Sequence, residues 1–439
     1  MKNIYKLNFL LLFTLVTISC SKESTLEVED IAIIEIPEIL KKSNILLIIA
    51  DDMGLDASPN YNVGSIKPNM PIIENLAKTG ITFNNVWSNP TCSPTRATIL
   101  TGKYGFKTGV LKVDDELSTS ETSIQKYIDT QLNSTYSSAV IGKWHLSKNV
   151  NPPNNMGIDY FAGSIGGGLK NYWDWDLVIN GETTSTTDYN TTKYTDLAID
   201  WVNSQTQPWF LWLAYNSPHT PFHLPPTSLH SQGELPTDGV SIDANPLPYY
   251  LASLETMDSE IGRLLNEMSS EEKDNTVIIF IGDNGTPNQV VQEYESKRAK
   301  GSIYQGGINV PMIISGKNVT RINEIENSLI NTTDLYATIS NIAGVSESEI
   351  NDSKNITDLF SNSDSKIRDY VFSETQNDIT IRNLTHKYFL FEDGIDALYN
   401  LINDPFETKN LLHSRNLPLS EQDKLIKEEL ITKLNNLIN

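Results

Sequence analysis

The sequence predicts an α/β fold: a large domain with a mostly parallel mixed sheet flanked by helices, followed by a smaller C-terminal domain with an antiparallel sheet and a terminal helix. Three observations predict it. Short, continuously apolar, β-branched runs recur up to about residue 315, the pattern of strands buried on both faces of a parallel sheet. Segments of helical spacing lie between them, and strands alternating with helices imply such a sheet. After about residue 345 the chain changes to short alternating segments and a last helical stretch. At 439 residues it is also too long for one ordinary core.

The first buried strand is Asn44–Ala50 (NILLIIA). Residues 72–80 (IIENLAKTG) have helical spacing and end at a glycine. Residues 137–142 form another small apolar run, and 209–215 (WFLWLAY) an aromatic-rich strand. Residues 183–192, rich in Ser and Thr, are expected to form a surface loop. Residues 251–268 read as a long amphipathic helix, and 276–281 (TVIIFI) and 310–315 as further buried strands. Segments within 369–401, such as YVFSE and TIRNLTHKYFLF, suggest the small antiparallel sheet, and 421–439 the terminal helix. The domain division expected is therefore 43–345 for the large domain and 346–439 for the C-terminal one.

The beginning of the chain reads differently. Lys2 and Lys6 precede an apolar run at 7–18 that is too short for a membrane span, and Ser19 is a small residue suited to cleavage. Residues 1–19 are read as a signal peptide. A cysteine directly after the small residue resembles the lipobox of bacterial lipoproteins, with Thr17 standing where Leu is usual; Cys20 is the expected lipidation site. An ordinary secretory leader with an incidental Cys20 is the alternative. Residues 20–42 are read as a tether, which makes the protein an exported lipoprotein, anchored by lipid to a membrane and facing the periplasm or the outer-membrane surface.

The net charge of −22 repels polyanions and argues against nucleic acid as a partner. Lys and Arg near a candidate site therefore stand out. The only cysteines are Cys20 and Cys92, so acylation of Cys20 leaves Cys92 a lone exported thiol that calls for an explanation.

Two buried strands end in acids. The first ends in Asp51-Asp52, and that at 276–281 in Gly282-Asp283-Asn284-Gly285. In open α/β sheets ligands sit beyond the carboxyl ends of the strands. Three carboxylates and an amide oxygen there would be hard donors, suited to Ca²⁺ or Mg²⁺; each pair can equally cap a turn or helix start. Cys92 (PTCSPTRA, 90–97) precedes what looks like a helix start, where the dipole favours an anion and Arg96 adds charge. A buried structural thiol fits the same residues. In GKWHL (142–146), Lys143 and His145 lie two apart and share a side if extended. His219 stands between two prolines in SPHTP (217–221), stiffened for proton transfer or simply a loop residue. Lys300 opens a Gly-rich turn (KGSIYQGG).

These pieces, in this order, resemble the formylglycine-dependent sulfatases of the alkaline-phosphatase superfamily. The decisive segment is Cys92-Ser93-Pro94-Thr95-Arg96, which fits that family's Cys-x-Pro-x-Arg maturation motif. NILLIIADDMG (44–54), TGKY (101–104), GKWHL, SPHTPF (217–222), GDNG (282–285), KGSIYQGGINVP (300–311) and LYNLINDPFETKNL (398–411) extend the match over about 43–413. The resemblance implies an alkaline-phosphatase-like fold and oxidation of Cys92 to formylglycine (3-oxoalanine) by a maturase. By that resemblance, the aldehyde hydrate would supply one hydroxyl to attack sulfur and another to expel sulfate. It implies one Ca²⁺ held by Asp51, Asp52, Asp283 and Asn284, with the formylglycine at position 92 completing the shell. Arg96 would anchor the formylglycine hydroxylate, and Lys143 and Lys300 would neutralise charge on sulfate. His219, with Lys300, would protonate the leaving oxygen, and His145 would take the proton from the second hydroxyl. Two residues depart from the family's YEGG-x-R-x-P segment: Gln305 replaces Glu and Asn309 replaces Arg.

Exported lipoprotein sulfatases of bacteria commonly act on sulfated glycans, so the resemblance implies a sulfated polysaccharide or its oligosaccharides as substrate. Aromatics within 166–175 (GGGLKNYWDW) could stack on sugar rings or form a satellite core, and His223 and His230 could line the same opening. A phosphodiesterase or phosphonate hydrolase on the same scaffold, and a non-catalytic glycan-binding lipoprotein, are the competing functions.

Overall fold

The structure, a computed structural model, describes residues 42–439. The leader-like segment, Cys20 and the tether up to residue 41 lie outside the described residues. Among those described, no helix is long and apolar enough to cross a membrane.

A ten-stranded mixed sheet organises the chain. From one edge its strands run Glu324–Glu326, Gly80–Phe83, Met312–Gly316, Thr276–Gly282, Asn44–Ala50, Trp209–Ala214, Ser137–Gly142, Tyr160–Gly163, Trp175–Ile179 and Glu182–Thr186. The five from Thr276–Gly282 to Tyr160–Gly163 are mutually parallel, with Leu46 in register with Leu211 on one side and Ile278 on the other. Period-two geometry explains why these strands are apolar throughout. Ile45, Leu47 and Ile49 enter the core on one face, whereas Leu46, Ile48 and Ala50 enter the core on the other. Helices Cys92–Thr101 and Asp334–Ala343 supply residues to the first core. Pro71–Lys78, Asn190–Asn203 and Leu247–Glu267 supply the second.

Two expectations need correction. Residues 183–192 are not a loop: Glu182–Thr186 is the edge strand of the sheet, and helix Asn190–Asn203 begins before the segment ends. The strand's largely exposed polar side chains hide it, but Asn180-Gly181, both at positive φ, form the two-residue turn that makes the hairpin. The helix expected at 72–80 stops at Lys78, and Gly80 begins a strand paired with Met312–Gly316.

The C-terminal part folds as a four-stranded antiparallel meander, Val371–Glu374, Ile379–Arg382, His386–Leu390 and Asp396–Asn400. Helix Glu421–Ile438, capped by Ser420, lays Leu430 and Leu434 on Phe372, Ile381, Tyr388 and Leu398. Tyr104, from the segment just after the Cys92 helix, packs in that same core.

Candidate active site

The carboxyl ends of four adjacent parallel strands place the central residues. Asp51 and Asp52 follow Asn44–Ala50, and Asp283 and Asn284 follow Thr276–Gly282. Asp52 takes a left-handed backbone (φ 72°), which Asp tolerates better than most side chains; its N–H donates to Asp283 Oδ1 at 3.0 Å. On the far side, Gly142 has φ 111°, and a Cβ there would lie 1.9 Å from the Ala214 carbonyl oxygen. Only glycine lets the chain turn at that strand end and bring Lys143 inward.

Cys92 opens helix Cys92–Thr101, every residue of which is buried. Its Sγ lies 3.4 Å from Asp51 Oδ1 and 3.9 Å from Asp52 Oδ1. Arg96, one turn along, donates to Asp283 Oδ2 through both Nε (3.1 Å) and a terminal nitrogen (2.8 Å), and to the Lys143 carbonyl at 2.8 Å. Lys143 Nζ meets Asp51 Oδ2 at 2.6 Å, and Lys300 Nζ meets Asp52 Oδ2 at 2.6 Å. His219 Nδ1 donates to the Thr220 carbonyl at 2.7 Å, and its Nε2 lies 3.7 Å from Asp52 Oδ2. His145 Nε2 lies 2.9 Å from Asp114 Oδ1. Nine of the ten expected residues thus form one network of direct contacts, and His145 stands at its edge.

Charge governs this network. Burial opposes ionisation of Asp51, but Lys143, His219, Arg96 and Lys300 together outweigh it and hold the carboxyl well below the usual range. Asp283 goes the other way: burial and the neighbouring Asp51 push it up to about 6, against the opposing pull of Arg96. Burial pushes the Cys92 thiol far up, so as a thiol it is no nucleophile. Burial also lowers both histidines, His145 to about 3 with help from Lys143.

The donor set fits a hard cation. Ligand atoms of Asp51, Asp52, Cys92 and His219 all lie within 4.8 Å of one another, a group that takes in His219 and leaves out Asp283, whose Oδ2 is held by Arg96. Asn284 Nδ2 donates to Asp52 Oδ1 at 2.7 Å and to Gly285 O at 3.0 Å, whereas its buried Oδ1 has no partner. Converging carboxylates beside an orphaned amide oxygen are what an oxygen-liganded divalent ion satisfies.

Comparison with known proteins decides the family. The family model described as Sulfatase matches residues 43–345. The chain belongs to the sulfatase family. Its enzyme class is accordingly that of the sulfuric ester hydrolases. This sulfatase is 27% identical over 364 residues to the uncharacterized sulfatase YdeN of Escherichia coli, a match spanning 70% of this chain and 63% of that protein. It is 26% identical to a sulfatase of Formosa agariphila over 85% of each chain. Among solved structures it resembles Ps i-CgsB in complex with k-i-k-neocarrahexaose (TM-score 0.76, 24% identity, covering 90% of this chain and 93% of that one). It also resembles BT4656 in complex with its substrate D-glucosamine-2-N,6-O-disulfate (TM-score 0.72, 17% identity, 90% and 98%). These likenesses bear out the alkaline-phosphatase-like fold.

The two departures from the family segment are structural in this sulfatase. Gln305 Oε1 accepts from Trp87 Nε1 at 2.9 Å, and Asn309 bridges the Val86 N–H and the Asn84 carbonyl at 3.1 Å each. Neither touches the acidic cluster. The loop bearing Lys300 is held from behind by the C-terminal part. Lys387 Nζ donates to the Ile303 carbonyl at 2.7 Å and pairs with Glu407 at 2.7 Å. Glu407 Oε2 accepts from the Gln305 N–H at 2.5 Å, and Arg298 donates to the Glu407 carbonyl. Sequence reasoning missed Lys387 and Asp114; each takes its meaning from a partner in another segment, and no local pattern marks it.

The aromatic cluster divides between both expectations. Tyr172 and Trp175 are buried, and the Tyr172 hydroxyl donates to the carbonyls of Asn216 and His219 at 2.7 Å. His223 stacks on Tyr172 at 4.0 Å and bonds Tyr189. Trp173, 42% exposed, leans on Tyr189. His230 sits elsewhere in the contact pattern, accepting from the Gln232 N–H.

Proposed function

We propose that this sulfatase hydrolyses sulfate esters of a sulfated polysaccharide or its oligosaccharides, with residue 92 converted to formylglycine and one Ca²⁺ held by Asp51, Asp52, Asp283 and Asn284. The observation that carries the reading is the setting of Cys92, at a buried helix N-terminus 3.4 Å from Asp51 and ringed by Arg96, Lys143 and Lys300. The ion would polarise a sulfuryl group and acidify a hydroxyl, and the aldehyde hydrate would supply one hydroxyl for attack on sulfur and another for release of sulfate.

The chain's own residues do the rest. Arg96 is locked by Asp283 and the Lys143 carbonyl, so its position beside residue 92 is preset. Lys143 and Lys300 put two ammonium groups where charge grows on the sulfuryl oxygens. In neutral His219 the hydrogen sits on Nδ1, leaving Nε2 facing the cluster. Its lowered pKa makes protonated His219 a strong acid toward a leaving alcohol. His145, held neutral, serves as base for sulfate release.

The glycan assignment is supported by Trp173, an exposed ring near the His219 loop, and by structural relatives captured with an oligosaccharide and a sulfated sugar. Acylation at Cys20 and residence in the periplasm or at the outer membrane belong to the same proposal and rest on the leader-like segment. The test is a desulfation screen of defined sulfated oligosaccharides with protein co-expressed with a maturase, alongside the mass of the peptide containing residue 92. Sulfate release by wild type and none by Cys92→Ala is expected. Full activity in Cys92→Ala, or much faster cleavage of nitrophenyl phosphodiesters than of nitrophenyl sulfate, overturns the reading.

A further inference from the structure

Among the expected catalytic side chains outside the acidic cluster, His145 carries a buried polar atom that has no partner. His145 Nδ1 is buried and unbonded. A polar atom left so costs free energy unless something arrives to use it. What fixes that atom in its state is the residue across the ring. Asp114 Oδ1 stands 2.9 Å from Nε2. An ionised carboxylate only accepts, so Nε2 must carry the hydrogen, and in a neutral imidazole Nδ1 is then bare.

We propose that Asp114 is the positioning residue of His145, fixing both the tautomer and the angle of the ring so that Nδ1 receives the proton at residue 92. This rests on the reading of His145 as the base for sulfate release. The pair is held at several points. Asp114 and His145 both have left-handed backbones (φ 64° and 57°), a conformation that costs energy in ordinary residues and persists where the surroundings impose it. His145 is pinned by its N–H to the Ile165 carbonyl at 3.0 Å. Its ring lies so close to Gly167 that a Cβ there would sit 2.3 Å from Cε1 and Nε2. Asp114 is pinned by its N–H to Ser93 Oγ at 3.2 Å, so the residue beside Cys92 holds the turn that holds the histidine. Asp115 is not an alternative orienter, since its carboxylate accepts from the Leu111 and Lys112 N–H groups. The Lys143 carbonyl, two residues before His145, accepts from Arg96 at 2.8 Å, which places His145 beside the cluster. Its pKa, lowered to about 3 by burial and by Lys143, means the ring is neutral near pH 7, where the choice of tautomer decides function.

Two measurements test this. The first needs no turnover: ring-nitrogen NMR on protein retaining unmodified Cys92 reads which nitrogen of His145 carries hydrogen. Hydrogen on Nε2 alone is expected in the wild type, and a mixture of tautomers in Asp114→Ala. The second is steady-state kinetics on matured enzyme. Asp114→Ala should lose at least about ten-fold in kcat with KM little changed, short of the roughly 10²- to 10⁴-fold loss expected on removing the base in His145→Ala. Asp114→Glu should recover part of it. The Asp114 side chain is 68% exposed, so its removal leaves no core cavity, and the left-handed backbone there (φ 64°), which Ala tolerates less well than Asp, should lower the melting temperature only slightly. Hydrogen on Nδ1 in the wild type, or an unchanged tautomer and kcat in Asp114→Ala while His145→Ala is impaired, overturns the proposal. Unchanged turnover in His145→Ala overturns the underlying reading of that histidine instead.

Discussion

Replacing Glu407 by glutamine should destabilise the protein and slow it together, because Glu407 is the counter-ion of a fully buried lysine that holds the Lys300 loop. Lys387 has no exposed surface, and burial holds its pKa at about 8, from an ordinary 10.5, even with Glu407 beside it. That gap corresponds to about 3 kcal/mol of unfavourable burial of the charged form. Because the folded pKa is depressed, the unfolded chain binds more protons than the folded one between about pH 8 and 10.5. The contribution of Lys387 to stability therefore rises with pH through that window. The Glu407→Gln change keeps the shape and an acceptor for the Gln305 N–H but removes the charge. Breaking a buried pair from one side typically costs about 3–5 kcal/mol. The cost should be largest near pH 7 and smaller above pH 9, where Lys387 is neutral in both proteins. Denaturant or thermal unfolding at the two pH values, with kcat measured in parallel, checks it. A loss below about 1 kcal/mol, or one equal at both pH values, would refute the argument that the pair is an electrostatic clamp. Lys387→Met combined with Glu407→Gln should restore much of the stability, since no uncompensated charge then stays buried and the glutamine still accepts from the Gln305 N–H.

Gly167→Ala drives a methyl group onto the His145 ring and should cut kcat severely while shifting the melting temperature little; normal turnover would show that the ring has room to move. Trp173→Ala should raise KM on sulfated oligosaccharides and leave nitrophenyl sulfate kinetics alone, since its exposed face is where a sugar ring would stack; equal effects on both substrates would remove Trp173 from glycan recognition. Ca²⁺ should stabilise the protein by roughly 2.7 kcal/mol at about 100 times its dissociation constant. Asn284→Ala should abolish most of that gain, and an undiminished gain would place the ion elsewhere.

Much of this architecture was legible in the sequence, for definable reasons. Asn44–Ala50 and Thr276–Gly282 are apolar at almost every position because both their faces meet a core, a signal that needs no partner to interpret. Glu182–Thr186 was not legible as a strand because it sits at the sheet edge with its side chains largely in water. Gly80–Phe83 was hidden by the helix running into it. Cys92, Arg96 and the acidic pairs announced themselves in short motifs, since their chemistry depends on local backbone as well as on tertiary neighbours. Asp114 lies 31 positions from His145, and Glu407 lies 102 from Gln305. Such pairings exist only once separate loops have docked.

The depth of residue 92 carries a consequence for timing. With 1% of its surface accessible, beside the ends of the central strands, Cys92 is out of reach of any second protein once the sheet has closed. If another enzyme converts it, as proposed, that enzyme must meet the segment around 90–97 as a loose peptide, before Asp283 arrives from far along the chain. The short Cys-Ser-Pro-Thr-Arg sequence then has two successive readers: first a passing enzyme that sees only its covalent order, and afterwards the protein's own fold, which seals the product inside.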